Sequence, residues 1–277
     1  MSTLTVAPAS STRPTHAPGF TDLLRSEWTK FKSLRSTWWS LGAMVVFSLG
    51  MSILLTSIFT AHFGTLGPDD KASFQNDTVG LFLQPGAQLG ELALTVLGVL
   101  LITSEFSTGM IKATVLAAPR RTPVLAAKAA VLAAAVLVVS EAIAWICFFA
   151  GSAIVHKHVT VTLSTPGSVR AILGFGAVLA MTALIGLALG TLLRHSAAAI
   201  SVALGMNLVV PILLSIVPGS LGRHLTYAMP QRAGQLIMDR TESGGTPYSQ
   251  WTGFGIVALW TVGLLVLAFW SIKKRDV

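Results

Sequence analysis

The sequence predicts an all-α polytopic membrane protein with six transmembrane helices, from its composition and from the length of its apolar segments. Its 277 residues are 53% hydrophobic and 11% charged, with a mean hydropathy of +0.72. That leaves too few polar side chains to cover a water-soluble protein of this size. Six apolar windows are each long enough, at 1.5 Å rise per residue, to cross a bilayer. They are residues 38–61, 82–104, 124–154, 171–193, 197–217 and 251–272.

The distribution of basic residues predicts the orientation of these spans. An even number of spans places both termini on one side, and 13 of the 19 Lys and Arg residues lie on that side. The positive-inside rule therefore predicts that both termini are cytoplasmic. Because topology accounts for the net charge of +8, the charge gives no reason to expect a nucleic-acid partner.

Two segments precede the first span. Residues 1–19 are rich in Ser, Thr, Pro and Ala and are predicted to be a disordered cytoplasmic tail. Residues 20–37 are predicted to form an amphipathic helix in the headgroup layer, with a simple Trp and Lys/Arg anchor as the alternative. Glu27 interrupts its apolar face. The residues expected to define this interfacial helix are Glu27, Trp28, Lys30, Phe31 and Arg35.

The remaining residues, 38–277, are predicted to form one six-span domain. Its basic inward loop, 105–123, joins the second and third spans, while the inward link 194–196 is short enough to force an antiparallel hairpin. The longest outward loop, 218–250, contains several Pro and Gly residues. These residues are compatible with short helices that dip into the outer leaflet and equally with a solvated loop.

Polar residues inside the spans are the candidates for a translocation path. The second span carries Gln84, Gln88, Glu91 and Thr95 at helical spacing, and the third carries Glu141. Counted from charged flanks, the two carboxylates are each about 20 Å deep. They either line a substrate or proton path or form buried packing contacts. Asn207, with Pro211, predicts a polar bridge and a kink in the fifth span.

The sequence contains no motif that predicts chemistry within this chain. It has no phosphate-binding loop of the form GxxxxGK[ST], no HExxH and no GxSxG, so we expect neither an enzyme nor a bound cofactor. His156 and His158 lack a third ligand, so no metal site is predicted. A single cysteine, Cys147, excludes an intrachain disulfide.

The inward loop carries a recognisable pattern, and the segment before the first span carries a second. In the loop the residues are Glu105, Gly109, Thr114, Leu116, Ala117, Pro119, Arg120, Arg121 and Lys128. This loop resembles that of permease subunits of bacterial ATP-binding-cassette (ABC) exporters of the second type. Leu24-x-x-Glu27-x-x-Lys30, followed by Arg35-Ser-Thr-Trp38, is similar to their amino-terminal interfacial helix.

The resemblance implies a half-transporter that moves a small molecule, lipid or peptide out of the cell. It would pair with a second copy or a homologue and dock two separate ATPase subunits, which bind the ATP and Mg²⁺. Residues 194–196 would make a minor second contact with the ATPase. The residues implied in ATPase coupling are Glu105, Gly109, Lys112, Thr114, Pro119, Arg120 and Arg121.

Two other functions remain open from the sequence. One is a proton-coupled carrier or channel that uses Glu91 and Glu141 and needs no ATPase. The other is a membrane protein of assembly or immunity that transports nothing. The sequence identifies no transported compound.

Overall fold

The computed structural model describes residues 19–108, 121–240 and 246–274, and every regular element in these ranges is helical. Six helical segments are long and apolar enough to cross a membrane, which confirms the predicted span count. They are α2 (Arg35–Ala61), α4 (Thr78–Ser107), α5 (Arg121–Val155), α6 (Ser168–Leu193), α7 with α8 (Ser196–Leu204 and Val210–Ser215) and α11 (Gln250–Lys274).

Shorter helices lie outside these spans. They are α1 (Phe20–Ser33), α3 (Pro68–Asn76), α9 (Gly219–Tyr227) and α10 (Pro230–Gln235), with single 3₁₀ turns at Phe63–Thr65 and Leu236–Met238. The predicted tail lies outside the described residues except for Gly19. We call the end of the bundle where α4 ends and α5 begins the lower end, and the opposite end the upper end.

The predicted helix over 20–37 is divided in the structure. Helix α1 ends at Ser33 because Leu34 adopts an extended backbone conformation, and the first span begins at Arg35. The Trp38 indole donates a hydrogen bond to the Lys32 carbonyl oxygen (2.9 Å), which bridges the break. Residues 35–37 therefore belong to the span and not to the amphipathic helix.

Helix α6 forms the centre of the bundle. Of its most apolar 18 residues 78% are buried, against 22% for the segment from Ser196 to Ser215. Glycines allow α4 and α6 to approach closely, since a Cβ atom at Gly98 would overlap the Ala183 carbonyl oxygen and one at Gly186 would overlap that of Thr95. On its other side α4 packs against α2, where the Ser48 hydroxyl donates to the Gly86 carbonyl oxygen (2.8 Å).

The kink predicted from Pro211 takes the form of a π-helical turn over Gly205–Val209. Proline has no N–H to donate to the carbonyl four residues earlier, so the backbone pairing must rearrange before it. The Val210 N–H instead bonds to the Gly205 carbonyl oxygen. This turn carries Asn207, which is buried.

Short helices in the predicted outward loop 218–250 pack alongside the spans. A Cβ atom at Gly234 would contact Val178 and Val257, and the Trp260 indole donates to the Ala228 carbonyl oxygen (2.9 Å). Trp260 lies ten residues after the first residue of α11, about 15 Å along that helix. Of the two forms that the sequence allowed for this loop, the structure has short helices packed between spans.

Candidate functional site

The lower end of the bundle contains a buried charge cluster, which we define as Glu27, Lys30, Glu105 and Lys128. The Lys128 ammonium contacts the Glu27 carboxylate at 2.5 Å and the Glu105 carboxylate at 2.9 Å. All three side chains are at least 94% buried. One lysine therefore joins α1, the end of α4 and the beginning of α5.

Lys30 closes the charge cluster on its solvent side. Its ammonium lies 2.7 Å from Glu27 and 3.3 Å from Glu105. Partial burial of Lys30 would lower its pKa, but its hydrogen bonds to the two carboxylates and their negative charges outweigh that effect and raise the pKa. Two carboxylates and two ammonium groups give the charge cluster no net charge, as buried ions require.

The sequence of α1 explains how Glu27 reaches this position. Glu27 and Phe31 are one helical turn apart, and both are buried against the bundle. Trp28 stacks on Phe31, with ring centroids 5.9 Å apart, and the Lys32 ammonium lies 4.7 Å from the Trp28 ring. The acidic residue on the apolar face of this helix is thus its ion-pairing contact with α5.

The charge cluster lies at both ends of the predicted coupling loop. Glu105 lies in the last turn of α4, and Lys128 lies two turns into α5. The predicted coupling residues Gly109, Lys112, Thr114, Pro119 and Arg120 lie outside the described residues, and so does the side chain of Arg121. Arg35, at the start of α2, is exposed.

The second predicted inward link, residues 194–196, lies beside the end of α4. Arg194 adopts a left-handed backbone conformation (φ 56°) between α6 and α7, and its guanidinium carbon lies 5.3 Å from the Phe106 ring centroid. Phe106 directly follows Glu105 at the end of α4. The structure therefore places Arg194 beside the first residues of the predicted coupling loop.

The residues of the predicted polar stripe of α4 have different surroundings. Gln84 donates a hydrogen bond to the Asp239 carboxylate at the upper end, and Gln88 is exposed. Glu91 is completely buried, and neither carboxylate oxygen has a hydrogen-bond partner among the described residues. The Asn207 amide donates to the Thr95 hydroxyl (3.2 Å), which gives the predicted polar bridge between the second and fifth spans.

The two intramembrane carboxylates lie at similar heights in the bundle. Glu91 is 14 residues before Glu105, and Glu141 is 13 residues after Lys128, so each lies about 20 Å from the Glu105–Lys128 ion pair. Glu141 is partly buried and packs against Gly176 of α6. No described hydrogen bond joins the two carboxylates to each other.

Sequence reasoning missed two features of the site. Lys128 was a flank of the third span and part of the loop pattern, but its burial in an ion pair was not predicted, although the apolar and small residues on both sides of this lysine were the signal for it. Sequence reasoning also missed a second polar cluster at the upper end, where Arg170 donates to the carbonyl oxygens of Asp239 and Arg240. Arg170 is about 70 residues from both partners in the chain, so no local sequence pattern indicates the contact.

His156 and His158, the two histidines considered as metal ligands, have different contacts. His156 bonds to the backbone carbonyl of Ala153 (2.6 Å), and His158 stacks on Phe63 with centroids 4.4 Å apart. Among residues 19–108, 121–240 and 246–274, no group of three or more His, Cys, Asp or Glu side chains is arranged to hold a metal ion.

Comparison with known proteins assigns this arrangement to a family. Residues 23–214 match the family profile described as "ABC-2 family transporter protein". That range begins in α1, includes the charge cluster and ends in α8. By sequence comparison no curated protein matches the chain.

Proposed function

The chain belongs to the ABC-2 family of transporter membrane proteins, and from this premise we propose that it is the permease subunit of an ATP-driven exporter. Family membership makes it a non-catalytic transmembrane subunit and implies an ATPase partner, on which ATP is hydrolysed. Export as the direction of transport, out of a bacterial cell through its plasma membrane, rests on the resemblance of the inward loop and α1.

The lower end of the bundle is proposed to face the cytoplasm. Both termini and both inward links then lie on the side that carries most of the basic residues, as the positive-inside rule requires. Exposed indole and basic side chains lie together where α1 meets α2. They are Trp28, Trp38, Trp39, Lys32 and Arg35. Indole and basic side chains are typical of the membrane–water interface, which supports an interfacial position for α1.

The single observation that carries the proposed coupling function is the charge cluster. Residues 105–123 would bind the ATPase, and Glu105 and Lys128 anchor the two ends of this loop to each other. Glu27 extends the anchorage to α1. A push on the loop would therefore move α1, α4 and α5 together, because separating them exposes unpaired charges in a buried environment.

The permease is proposed to work as a pair with a second copy or a homologue. The segment Ser196–Ser215 is the least buried span, with exposed apolar side chains at Val209, Ile212 and Leu213. The first and sixth spans each have 28% of their apolar window buried, so these three spans leave most of their residues uncovered in a single chain. Rocking of two such bundles on ATP binding would open a path between them.

The experiment is purification of the native complex in mild detergent, followed by native mass spectrometry. We expect two permease chains of 29.1 kDa each, or one and a homologue, together with ATPase subunits that carry a phosphate-binding loop. Arg120→Glu with Arg121→Glu should remove the ATPase and leave the permease folded, because neither residue belongs to the charge cluster. The matched control is Lys157→Glu, an exposed basic residue at the upper end, which should retain it. A native complex with no ATPase would overturn the proposal.

A further inference from the structure

The upper polar lock, which we define as Asp77, Gln84, Arg170, Asp239 and Arg240, joins three parts of the chain. Gln84 of α4 donates to the Asp239 carboxylate, and Arg170 of α6 donates to the Arg240 carbonyl oxygen (3.2 Å). Asp77, which caps the N-terminus of α4, accepts from the backbone N–H of Arg240 (2.8 Å). The short segment 239–240 is therefore held by both central spans.

Asp239 and Arg240 of the upper polar lock follow directly on a buried segment that packs between spans. Four apolar side chains of this segment are each at most 3% exposed: Ala233, Leu236, Ile237 and Met238. A Cβ atom at Gly174 would overlap the Ile237 side chain, and one at Gly253 would overlap the Ala233 carbonyl oxygen and the Leu236 side chain. Residues 230–238 thus pack into α6 and α11, while residues 239–240 are hydrogen-bonded to side chains of α4, of its N-cap and of α6.

We propose that the upper polar lock is a proton-controlled fastening, which holds segment 230–240 between the spans in acid and releases it as the pH rises. The charges of two carboxylates influence one another in the lock, and among the described residues Asp77 has two hydrogen-bond donors whereas Asp239 has one. Asp77 accepts from two backbone N–H groups, those of Arg240 and Gly80 (3.1 Å), whereas Gln84 is the described donor to the Asp239 carboxylate. The described hydrogen bonds of Arg170 go to the carbonyl oxygens of Asp239 and Arg240 and not to the Asp239 carboxylate.

The electrostatics of the site give the direction of the response. Burial, and next the charge of Asp77, raise the pKa of Asp239 to about 7, while the Gln84 hydrogen bond and the charge of Arg170 oppose the increase. Burial also raises the pKa of Asp77, against the hydrogen bonds from Arg240 and Gly80 and the charges of Arg240 and Arg170. These are the charged groups that surround Asp239 from α4, from α6 and from its own segment.

The sign of the linkage follows from those shifts. A released segment exposes Asp239 to water, where its pKa returns to the ordinary value near 3.8. Between that value and about 7 the locked form holds a proton that the released form does not, so a rise in pH favours release. The preference for the locked form is greatest in acid, decreases across this interval and is constant above it.

The test is the labelling rate of a cysteine placed in the buried segment. Ala233→Cys in a Cys147→Ala background is reacted with a polar maleimide in lipid nanodiscs from pH 5 to pH 8. The same cysteine with Asp239→Asn is measured in parallel, and the ratio of the two rates cancels the pH dependence of thiol reactivity. Asn keeps an acceptor for Gln84 and cannot ionise. The rate with Asp239 divided by the rate with Asp239→Asn should therefore rise by up to about tenfold per pH unit and become constant above about pH 7.

A second variant tests the lock itself. Arg170→Gln removes the contacts to the Asp239 and Arg240 carbonyl oxygens, so Ala233→Cys should react faster in this variant than with Arg170 in place, at every pH. Arg223→Gln, a change at an exposed arginine outside the lock, should leave the labelling rate unchanged. A ratio that does not vary with pH overturns proton control, even if the Arg170 variant proves unstable. Equal rates for the two arginine variants overturn the lock. Neither measurement requires an ATPase, so both are independent of the proposed function.

Discussion

Lys128 is a buried ammonium whose lost hydration is replaced by two carboxylates. Both carboxylates come from other helices, and each is itself buried, so each ion depends on the others. Such an arrangement is costly to desolvate and is weak evidence of a gain in stability over an apolar core. Its physical value is that it penalises the separation of the helices that carry it. The charge cluster therefore fits a role in transmitting movement.

We predict that Lys128→Met destabilises the protein by about 3–5 kcal/mol, because it leaves two buried carboxylates with Lys30 as their remaining described cation. Adding Glu27→Gln should restore part of that loss, since Glu105 and Lys30 then remain as a neutral pair. Thermal unfolding of the purified protein measures both effects, with exposed Lys157→Met as the control. A double variant no more stable than Lys128→Met would contradict this account.

Glu91 and Glu141 distinguish the exporter from a proton-coupled carrier. We predict that the purified chain in proteoliposomes, monitored with an enclosed pH indicator, conducts no more protons than Glu91→Gln or Glu141→Gln. Neither carboxylate oxygen of Glu91 has a described hydrogen-bond partner, and one oxygen of Glu141 has none either, so the amide breaks no described hydrogen bond at these atoms. It should therefore also leave the thermal unfolding midpoint nearly unchanged. A proton flux that disappears in either variant would favour the carrier.

At the residue scale the sequence indicated that several polar positions were unusual, but it did not indicate their partners. Glu27 was visible as an acid on an apolar face, and Asn207 as an amide in a span. Their partners, Lys128 and Thr95, are 101 and 112 residues away in the chain. Pairing at that separation depends on how helices pack, which helical periodicity alone does not specify.

Contact between α4 and α6 depends on residues without side chains. We predict that Gly98→Ala destabilises the protein by about 1–3 kcal/mol, because the new methyl group would overlap the backbone of α6. Gly263→Ala is the matched control, since nothing lies within 4 Å of its Cβ position in α11. Thermal unfolding should separate the two variants clearly. Equal stability would mean that α4 and α6 are not packed as described.

The elements themselves were largely predictable, and their ends were not. Hydropathy and length located six spans because a bilayer requires about 20 consecutive apolar residues. These two properties did not show that α1 ends at Ser33, because the break at Leu34 involves no proline or glycine. The helices in the loop 218–250 were undecided because packing between spans, and not their own composition, stabilises them.

At the scale of the whole molecule, the bundle is organised around α6, and its two ends are built differently. A neutral cluster of four ions fastens the lower end, whereas the upper end combines ionisable and neutral polar groups. In the proposed exporter the lower end would receive force from the ATPase, and the upper end would have to yield. The spans between them connect the two events.

Photo-crosslinking from the coupling loop tests the central claim most directly. A photoreactive amino acid replaces Thr114, in the middle of the predicted loop, and the native complex is irradiated in membranes. The account predicts a covalent product between the permease and an ATPase subunit that carries a phosphate-binding loop. The same amino acid at Ser164, on an exposed loop at the upper end, should give no such product. Crosslinking to the ATPase from Ser164 and not from Thr114 would contradict the account.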